Sequence, residues 1–158
     1  MGQYWYPVNL DKQEFIHPHR LGTGLKLWEQ LVNGPGTGGA LIVLCAAEPE
    51  MRGGGDFTLY DEKDEELDPI LTRTIGRWTG DRIALVGDYA ADGDMGIEDA
   101  ASIYERCLHK GDTDDDGNLI EFKEGHHFRD ITDDVRYVFE RQLGGKFEGS
   151  GWCHFVRD

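Results

Sequence analysis

The residues best suited to chemistry form an Asp-rich segment, residues 112–118, with the sequence Asp-Thr-Asp-Asp-Asp-Gly-Asn. Calcium is a hard cation that takes six to eight oxygen ligands, and twelve-residue calcium loops supply them mainly from positions 1, 3, 5, 7 and 12. Asp112, Asp114, Asp116 and Asn118 match the first four of these positions. We therefore treat these four residues as a candidate calcium site.

The second half of this loop departs from the calcium-binding pattern. Position 12, where an EF-hand carries a bidentate Glu, is Lys123, and Gly125 interrupts the helix that should follow. Glu121 and Glu124 miss position 12 by two and one residues. The segment resembles an EF-hand for half its length only, so any calcium binding is expected to be weak. The missing Glu favours the alternative interpretation, an Asp-rich solvated turn without an ion.

A second group of candidates surrounds two histidines. His17 and His19 are separated by one residue, so they face the same way in an extended chain, and Asp88 or His126 with His127 could complete a metal or acid–base site. A candidate enzyme site on or beside two predicted hairpins comprises His17, His19, Arg20, Arg77, Asp81, Arg82 and Asp88. The alternative is a packed turn with purely structural Arg–carboxylate pairs, which we favour.

Two other possible functional motifs, a nucleotide-binding glycine pattern and a nucleophilic Ser or Cys, are excluded by the residues around them. Residues 34–39, Gly-Pro-Gly-Thr-Gly-Gly, match the glycine fingerprint of dinucleotide-binding folds, but that fingerprint requires a preceding strand. A predicted helix precedes it, so we reject nucleotide binding. Neither Ser102 nor Ser150 lies in a Gly-x-Ser-x-Gly elbow, and Cys45, inside an apolar run, is expected to be buried and unreactive.

These side chains depend on two predicted β-hairpins. Residues 4–9 and 14–17 are aromatic or β-branched stretches around a polar turn, and Pro7 suggests that the first is an edge strand. Residues 74–78 and 82–87 are β-rich runs around a Gly-containing turn. We expect the second pair to supply the core sheet.

Hydrophobic periodicity predicts helices beside the hairpins. The first is capped by Thr23, runs to Val32 and stops at Asn33-Gly34-Pro35. Residues 40–47 are apolar on every face, which fits either a central strand or a short core helix, and their Leu and Ala content favours a helix.

The second half of the chain predicts two more helices and a terminal strand. One helix covers residues 97–108, another is capped by Thr132 and ends before residues 144–145, and the aromatic tail at 152–156 docks as a strand. We therefore expect a single α+β domain over residues 1–158. Its antiparallel sheet is built from hairpins and packs against about three to four helices.

Charge is concentrated in two parts of the chain. The 158 residues carry a formal charge of -15, and residues 48–68 and 88–121 together account for -16. We expect acidic loops at 48–68 and 88–96, besides the Asp-rich turn at 112–118. Such a field repels phosphate backbones and anionic membrane surfaces, so we expect no direct nucleic-acid or membrane binding. A basic protein partner is favoured, and the alternative is that the charge only maintains solubility.

The cysteines and the N-terminus bear on localisation. Three cysteines without a metal or redox spacing predict free thiols in a reducing compartment. The N-terminal residues lack the charged and apolar regions of a signal peptide, and the longest apolar run, eight residues, is short of the about 20 that span a bilayer. We therefore expect a cytoplasmic protein.

Large aromatic side chains are expected mainly in the core. The set comprises Tyr4, Trp5, Tyr6, Trp28, Trp78 and Trp152. Strand alternation places Tyr4 and Tyr6 on one face and Trp5 on the other. An exposed aromatic pair beside acidic loops would anchor a basic protein partner, because binding energy concentrates in such residues.

Three blocks of sequence are distinctive: residues 8–19, 22–27 and 76–83, with the patterns VNxDKxEFxHPH, GxGxKL and GRWxGDRI. Together they resemble a family of small, uncharacterised microbial and phage-type proteins. That family has no established activity, so the resemblance implies no catalytic residue. The Asp-rich segment lies outside the three blocks.

These observations favour a small acidic protein that binds a basic protein partner, as an inhibitor or immunity-like module. One alternative is a module that binds calcium, or is stabilised by it, through residues 112–118. The other is an enzyme with a His, Arg and Asp site near the two hairpins.

Overall fold

Two sheets make up the β structure of the described residues. The computed structural model describes residues 3–31, 35–47 and 57–158. The strands are, in chain order, β1 Trp5–Asn9, β2 Glu14–Phe15, β3 Ile83–Gly87, β4 Arg129–Asp130, β5 Gly145–Glu148 and β6 His154–Arg157. The larger sheet has the strand order β3-β1-β2-β4, and β5 pairs with β6 in a separate hairpin.

The α-helices within the described ranges are α1 Gly36–Cys45, α2 Pro69–Thr74, α3 Ala100–Arg106 and α4 Thr132–Leu143. Helix α3 packs against β3 of the larger sheet, whereas α4 packs against α1 and α2. Short 3₁₀ turns occur at Pro18–Leu21, Leu27–Leu31 and Asp94–Gly96. This confirms the predicted α+β domain. In the part of the chain that is described, no helix has the length and apolar character needed to cross a membrane.

The first predicted hairpin is confirmed. β1 and β2 are antiparallel, with Val8 opposite Phe15 and Asn9 opposite Glu14. β1 also pairs antiparallel with β3 along its full length, so Pro7 lies in a central strand and not at an edge. β4 joins β2 in parallel, which a sheet built only from hairpins does not include. The tail is a strand, as predicted, but it pairs with β5 outside the larger sheet.

The second predicted hairpin is wrong because its first arm ends a helix and then turns. The Asp68 carboxylate accepts hydrogen bonds from the amides of Ile70 and Leu71, and Pro69 occupies the first helical position, so α2 forms there. Residues 75–81 are turns. Only the second arm is a strand, and it pairs with β1 as β3.

The turn after α2 is held by the end of α1. The amides of Gly76 and Trp78 donate to the carbonyl oxygens of Val43 and Leu44 at 2.9 and 2.8 Å, which satisfies acceptors in the last turn of α1. Trp78 is fully buried in the core. Because these bonds join residues far apart in sequence, local strand propensity at 74–78 does not decide the conformation.

The predicted helix from Thr23 to Val32 is also wrong. Thr23 is buried, and its hydroxyl bonds the Pro18 carbonyl oxygen and the Thr37 hydroxyl, so it is no helix cap. Within residues 23–31 only the 3₁₀ turn Leu27–Leu31 forms, residues 32–34 lie outside the described residues, and α1 begins one residue after the predicted stop at 33–35. Residues 40–45 are helical within α1, which confirms the preference for helix over strand.

Smaller corrections concern helix ends and burial. Cys45 is exposed at the last position of α1, not buried. Thr132 is the first residue of α4 and not its cap. Trp28 and Trp152 are 75% and 56% exposed, because each sits on a turn and not on a core-facing element.

Candidate functional site

Folding brings two of the predicted histidines to a third that sequence reasoning missed. The ring centroid of His17 lies 5.6 Å from that of His19 and 6.3 Å from that of His109. His19 and Arg20 lie in the 3₁₀ turn Pro18–Leu21 that follows β2, and His109 lies after α3. We call His17, His19, Arg20, His109 and Asp130 the imidazole cluster.

The Asp130 carboxylate contacts two other members of the imidazole cluster, His109 and Arg20. It accepts hydrogen bonds from His109 Nδ1 at 2.5 Å, from the Thr132 amide at 2.9 Å and from the Thr132 hydroxyl, and Arg20 Nη1 lies 3.7 Å away. Burial opposes ionisation, but the bonds from His109 and Thr132 outweigh it and lower the pKa of Asp130. The hydrogen bond to Asp130 raises the pKa of His109.

The pKa of His17 changes in the opposite direction from that of His109. Burial is the main influence on this imidazole and lowers its pKa to about 4, so it is neutral at physiological pH. Its Nε2 lies 3.5 Å from the Tyr6 hydroxyl, and no described residue forms a hydrogen bond with its buried Nδ1. His19 stacks on Trp152 with a centroid distance of 4.7 Å. The cluster therefore combines an imidazole whose pKa is raised, that of His109, with one whose pKa is lowered, that of His17.

The remaining members of the predicted enzyme site form hydrogen bonds with residues outside the imidazole cluster. Arg77 binds Glu14, Asp81 binds Asn9 and Lys12, Arg82 binds Asp11, and Asp88 accepts from the Tyr4 amide. His126 and His127 contact each other, and His127 stacks on Phe122. Across residues 3–31, 35–47 and 57–158, no group of three or more His, Cys, Asp or Glu side chains is arranged to hold a metal ion.

The Asp-rich segment forms a compact turn. The Asp114 carboxylate accepts the amides of Asp116 and Asn118 at 3.0 and 2.8 Å, while the Asp112 carboxylate accepts the His109 amide at 3.0 Å. Gly117 has φ 81, as a tight turn requires. These bonds order the loop through its own backbone, and the calcium interpretation stays a prediction.

A different surface carries exposed apolar side chains. Leu27, Trp28 and Leu31 in a 3₁₀ turn, Ile42 in α1 and Leu143 at the end of α4 are all exposed, and we call them the apolar face. Ile42 and Leu143 line a groove of about 220 Å³, and the residues of the 3₁₀ turn line a second groove of about 290 Å³ with Leu41. Both grooves lie along α1, which lines the first with Gly39, Ile42 and Val43 and the second with Thr37, Gly38 and Leu41.

Of the predicted acidic loop 48–68, residues 48–56 lie outside the described residues. We call residues 61–66 the acidic loop below; this stretch is held near the apolar face. Arg141 Nη2 donates to the Tyr60 carbonyl oxygen at 3.2 Å, and Arg141 Nη1 lies 3.3 Å from Glu62. The Gln142 side chain bonds both backbone groups of Thr58. The outward side chains of this loop are Glu62, Lys63, Asp64, Glu65 and Glu66. The same end of α4 therefore holds both the acidic loop and Leu143.

Sequence reasoning missed His109 and Asp130 because neither belongs to a recognisable motif. Their contact joins residues 21 positions apart, His109 in the irregular segment after α3 and Asp130 in β4. A comparison of the chain with protein-family models, with curated proteins and with solved structures found no match. Function must therefore be inferred from the two surfaces themselves.

Proposed function

We propose that this protein binds a basic protein partner through the apolar face, with the acidic loop contacting the partner's Lys and Arg side chains. The observation that carries the proposal is the attachment of the acidic loop to α4 beside the exposed Ile42 and Leu143. An inhibitor or immunity-like role is the type of function that such a surface serves.

The apolar face supplies the non-polar part of the proposed contact. Contiguous exposed apolar patches on soluble proteins mark interaction sites, and Trp is among the residues that contribute most binding energy. Trp28 is 75% exposed, and the groove beside it is lined by Leu27, Leu31 and Leu41. An amphipathic segment that places aliphatic side chains in the two grooves would remove this surface from water.

The negative charge of the protein favours a basic partner. The formal charge of -15 repels acidic proteins at a distance and attracts basic ones. At close range, Glu62, Glu65 and Glu66 are exposed, and Glu62 lies 3.3 Å from Arg141, the neighbour of Gln142 in the groove lining. A partner segment with Lys or Arg flanking its apolar residues therefore complements both features.

The proposal is tested with synthetic probes of defined chemistry. An amphipathic helical peptide of Lys and Leu, its Glu and Leu counterpart and a Lys and Leu scramble are titrated into the protein by calorimetry. We expect the first peptide to bind tightest, and its affinity to fall between about 50 mM and about 500 mM NaCl. Equal binding of the Lys/Leu peptide and its scramble, or no binding of either, would contradict the proposal.

Two pairs of variants locate the binding surface. Trp28→Ala is expected to weaken peptide binding about tenfold or more, whereas Trp152→Ala, at an exposed Trp outside the face, leaves it unchanged. The combined change Glu62→Gln, Glu65→Gln and Glu66→Gln reduces the salt dependence. Its control with the same change in net charge is Asp115→Asn, Asp116→Asn and Glu121→Gln. If both charge variants behave alike, contact with the acidic loop is disproved.

A second candidate function, acid–base chemistry at His109, is favoured by the 2.5 Å bond to Asp130. A buried carboxylate on Nδ1 orients an imidazole and leaves Nε2 for a substrate proton. Hydrolysis of p-nitrophenyl acetate and bis(p-nitrophenyl) phosphate is measured for the wild type and for His109→Asn. Equal rates for the two proteins would contradict this function.

A further inference from the structure

A cleft of about 240 Å³ lies apart from both the imidazole cluster and the apolar face, between the β1–β2 turn and the segment before α3. Its volume corresponds to about eight water molecules at ~30 Å³ each, which suits a ligand with on the order of ten non-hydrogen atoms. Its floor contains the buried side chains of Ile103 and Phe128, and Leu10 and Ile97 add apolar walls.

Hydrogen-bond donors line one part of this cleft. The Arg106 guanidinium lies 4.7 Å above the Phe128 ring, and its Nε donates to the His126 carbonyl oxygen at 2.7 Å. No described residue accepts a hydrogen bond from Arg106 Nη2. Arg82 is held by Asp11 through its amide and Nε, at 2.7 and 2.8 Å, which leaves its Nη groups unpaired among the described residues.

Acceptors line the cleft as well. The carboxylates of Glu98 and Asp99 belong to its lining, and Asp99 lies 3.4 Å from Arg106 Nη1, which is long for a charge-assisted bond. Both acidic residues are exposed. A single small cleft therefore presents guanidinium and carboxylate groups together with an apolar floor.

The backbone at the rim adopts unusual conformations. Gln13, a lining residue, has φ 55, and Met95, next to the lining residue Gly96, has φ 58. Left-handed conformations of non-glycine residues are strained and cluster at active sites and ligand sites. The Arg129 amide donates a hydrogen bond to the Gln13 carbonyl oxygen at 2.8 Å, which holds Gln13 in place.

We propose that this cleft binds a free α-amino acid with an apolar side chain, with Arg82 and Arg106 facing its carboxylate, Glu98 and Asp99 facing its ammonium group, and Ile103 and Phe128 under its side chain. The charges select this class. A simple anion is opposed by the two acidic residues and by the net charge of -15, and a simple cation by the two arginines. A zwitterion pairs with both signs and is itself neutral.

The test compares ligands that differ in one group. Leucine, isoleucine, phenylalanine and glycine, with N-acetyl-leucine and leucinamide, are titrated by calorimetry up to about 20 mM. We expect saturable binding of at least one apolar amino acid with Kd between about 10 µM and about 1 mM, as a ligand of this size allows. Glycine and both capped leucines are expected to bind about tenfold more weakly, since each loses one of the three contacts.

Variants and amide shifts place the ligand. Arg82→Gln and Glu98→Gln, both at exposed side chains, are each expected to weaken binding about fivefold or more without changing the melting temperature. Arg157→Gln and Glu148→Gln, on the separate hairpin, are matched controls that leave it unchanged. Amide NMR shifts on adding ligand are expected at Leu10, Gln13 and Ile97.

Three outcomes overturn the proposal. The first is the absence of saturable binding for all three apolar amino acids. The second is binding of N-acetyl-leucine or leucinamide as tight as that of leucine, which would make the ligand a simple anion or cation. The third is a set of amide shifts that lies outside the cleft.

Discussion

His109 Nδ1 and Asp130 Oδ2 lie 2.5 Å apart and join the segment after α3 to the strand that precedes α4. Arg20 and Thr132 contact the same carboxylate, so one acidic side chain connects the 3₁₀ turn after β2, strand β4 and helix α4. This contact orders the imidazole cluster. It also makes the stability of the fold depend on pH in a way that can be measured.

The His109–Asp130 pair is expected to stabilise the protein most between about pH 4 and pH 6.5. The pKa of His109 is raised from 6.5, so its contribution is complete below pH 6.5 and is lost as pH rises through the raised pKa. The pKa of Asp130 is lowered from 3.8, so its contribution is complete above that pH and is lost as pH falls. Urea unfolding of the wild type and of His109→Gln is compared from pH 5 to pH 9. A constant difference in unfolding free energy over this range would contradict the prediction.

His17 is expected to act with the opposite sign in acid. Its pKa is about 4 in the folded protein and 6.5 when unperturbed, so the unfolded chain binds more protons between these values and stability falls as pH decreases. The loss amounts to roughly 3 kcal/mol at full effect. His17→Phe, which cannot titrate, should remove this part of the acid destabilisation. If the variant and the wild type lose stability in parallel below pH 6.5, the burial of His17 does not have this effect.

The Glu14–Arg77 pair predicts a large cost for removing one partner. Glu14 is buried, and its two carboxylate oxygens, Oε1 and Oε2, accept hydrogen bonds from Arg77 Nε at 2.9 and 2.8 Å. Its Oε1 also accepts a hydrogen bond from Trp78 Nε1 at 3.2 Å. Glu14→Gln leaves the guanidinium without its counter-charge, so we expect a loss of about 2–4 kcal/mol in unfolding free energy. Glu14→Gln with Arg77→Met should cost less than the sum of the single changes. Asp133→Asn, at an exposed partner of Arg20, is the control and should change stability little.

Two glycines with a left-handed backbone allow the cost of backbone strain to be measured separately from the cost of a steric clash. A Cβ at Gly76, φ +77, would lie 2.6 Å from the Ala46 carbonyl oxygen, whereas one at Gly80, φ +81, meets nothing within 4 Å. Gly80→Ala should therefore cost about 1 kcal/mol from backbone strain alone. Gly76→Ala should cost about 1–3 kcal/mol more, because the backbone oxygen must move. Equal melting temperatures for the two variants would disprove the close approach.

Calcium provides a direct test of the Asp-rich turn. If residues 112–118 bind the ion as their spacing suggests, about 5 mM calcium should raise the melting temperature and a chelator should reverse the rise. Asp114→Asn with Asp116→Asn should abolish the response, whereas Asp61→Asn with Asp64→Asn, in the acidic loop, should not. An unchanged melting curve would leave the turn without a role in calcium binding.

The candidate sites were only partly predictable from sequence. His17, His19 and Arg20 do lie together, because they fall within four consecutive residues at the start of one 3₁₀ turn. Arg77 and Asp81 were expected beside them, but each is drawn to a different partner, Glu14 and Lys12, once β1 and β2 are paired. The position of a charged side chain depends on which opposite charge the fold brings near, and no local pattern contains that information.

The sequence by itself determined the α+β class, the first hairpin, the helix over residues 132–143 and the two concentrations of acidic residues. These follow from hydrophobic periodicity, turn residues and composition, which act over a few neighbouring positions. Tertiary structure alone decided that residues 74–78 complete a helix and turn onto α1, that Thr23 is buried beneath it, and that Asp130 meets His109. In each case a hydrogen bond between distant residues overrides a weak local preference, because a buried polar group without a partner costs more than the preference contributes.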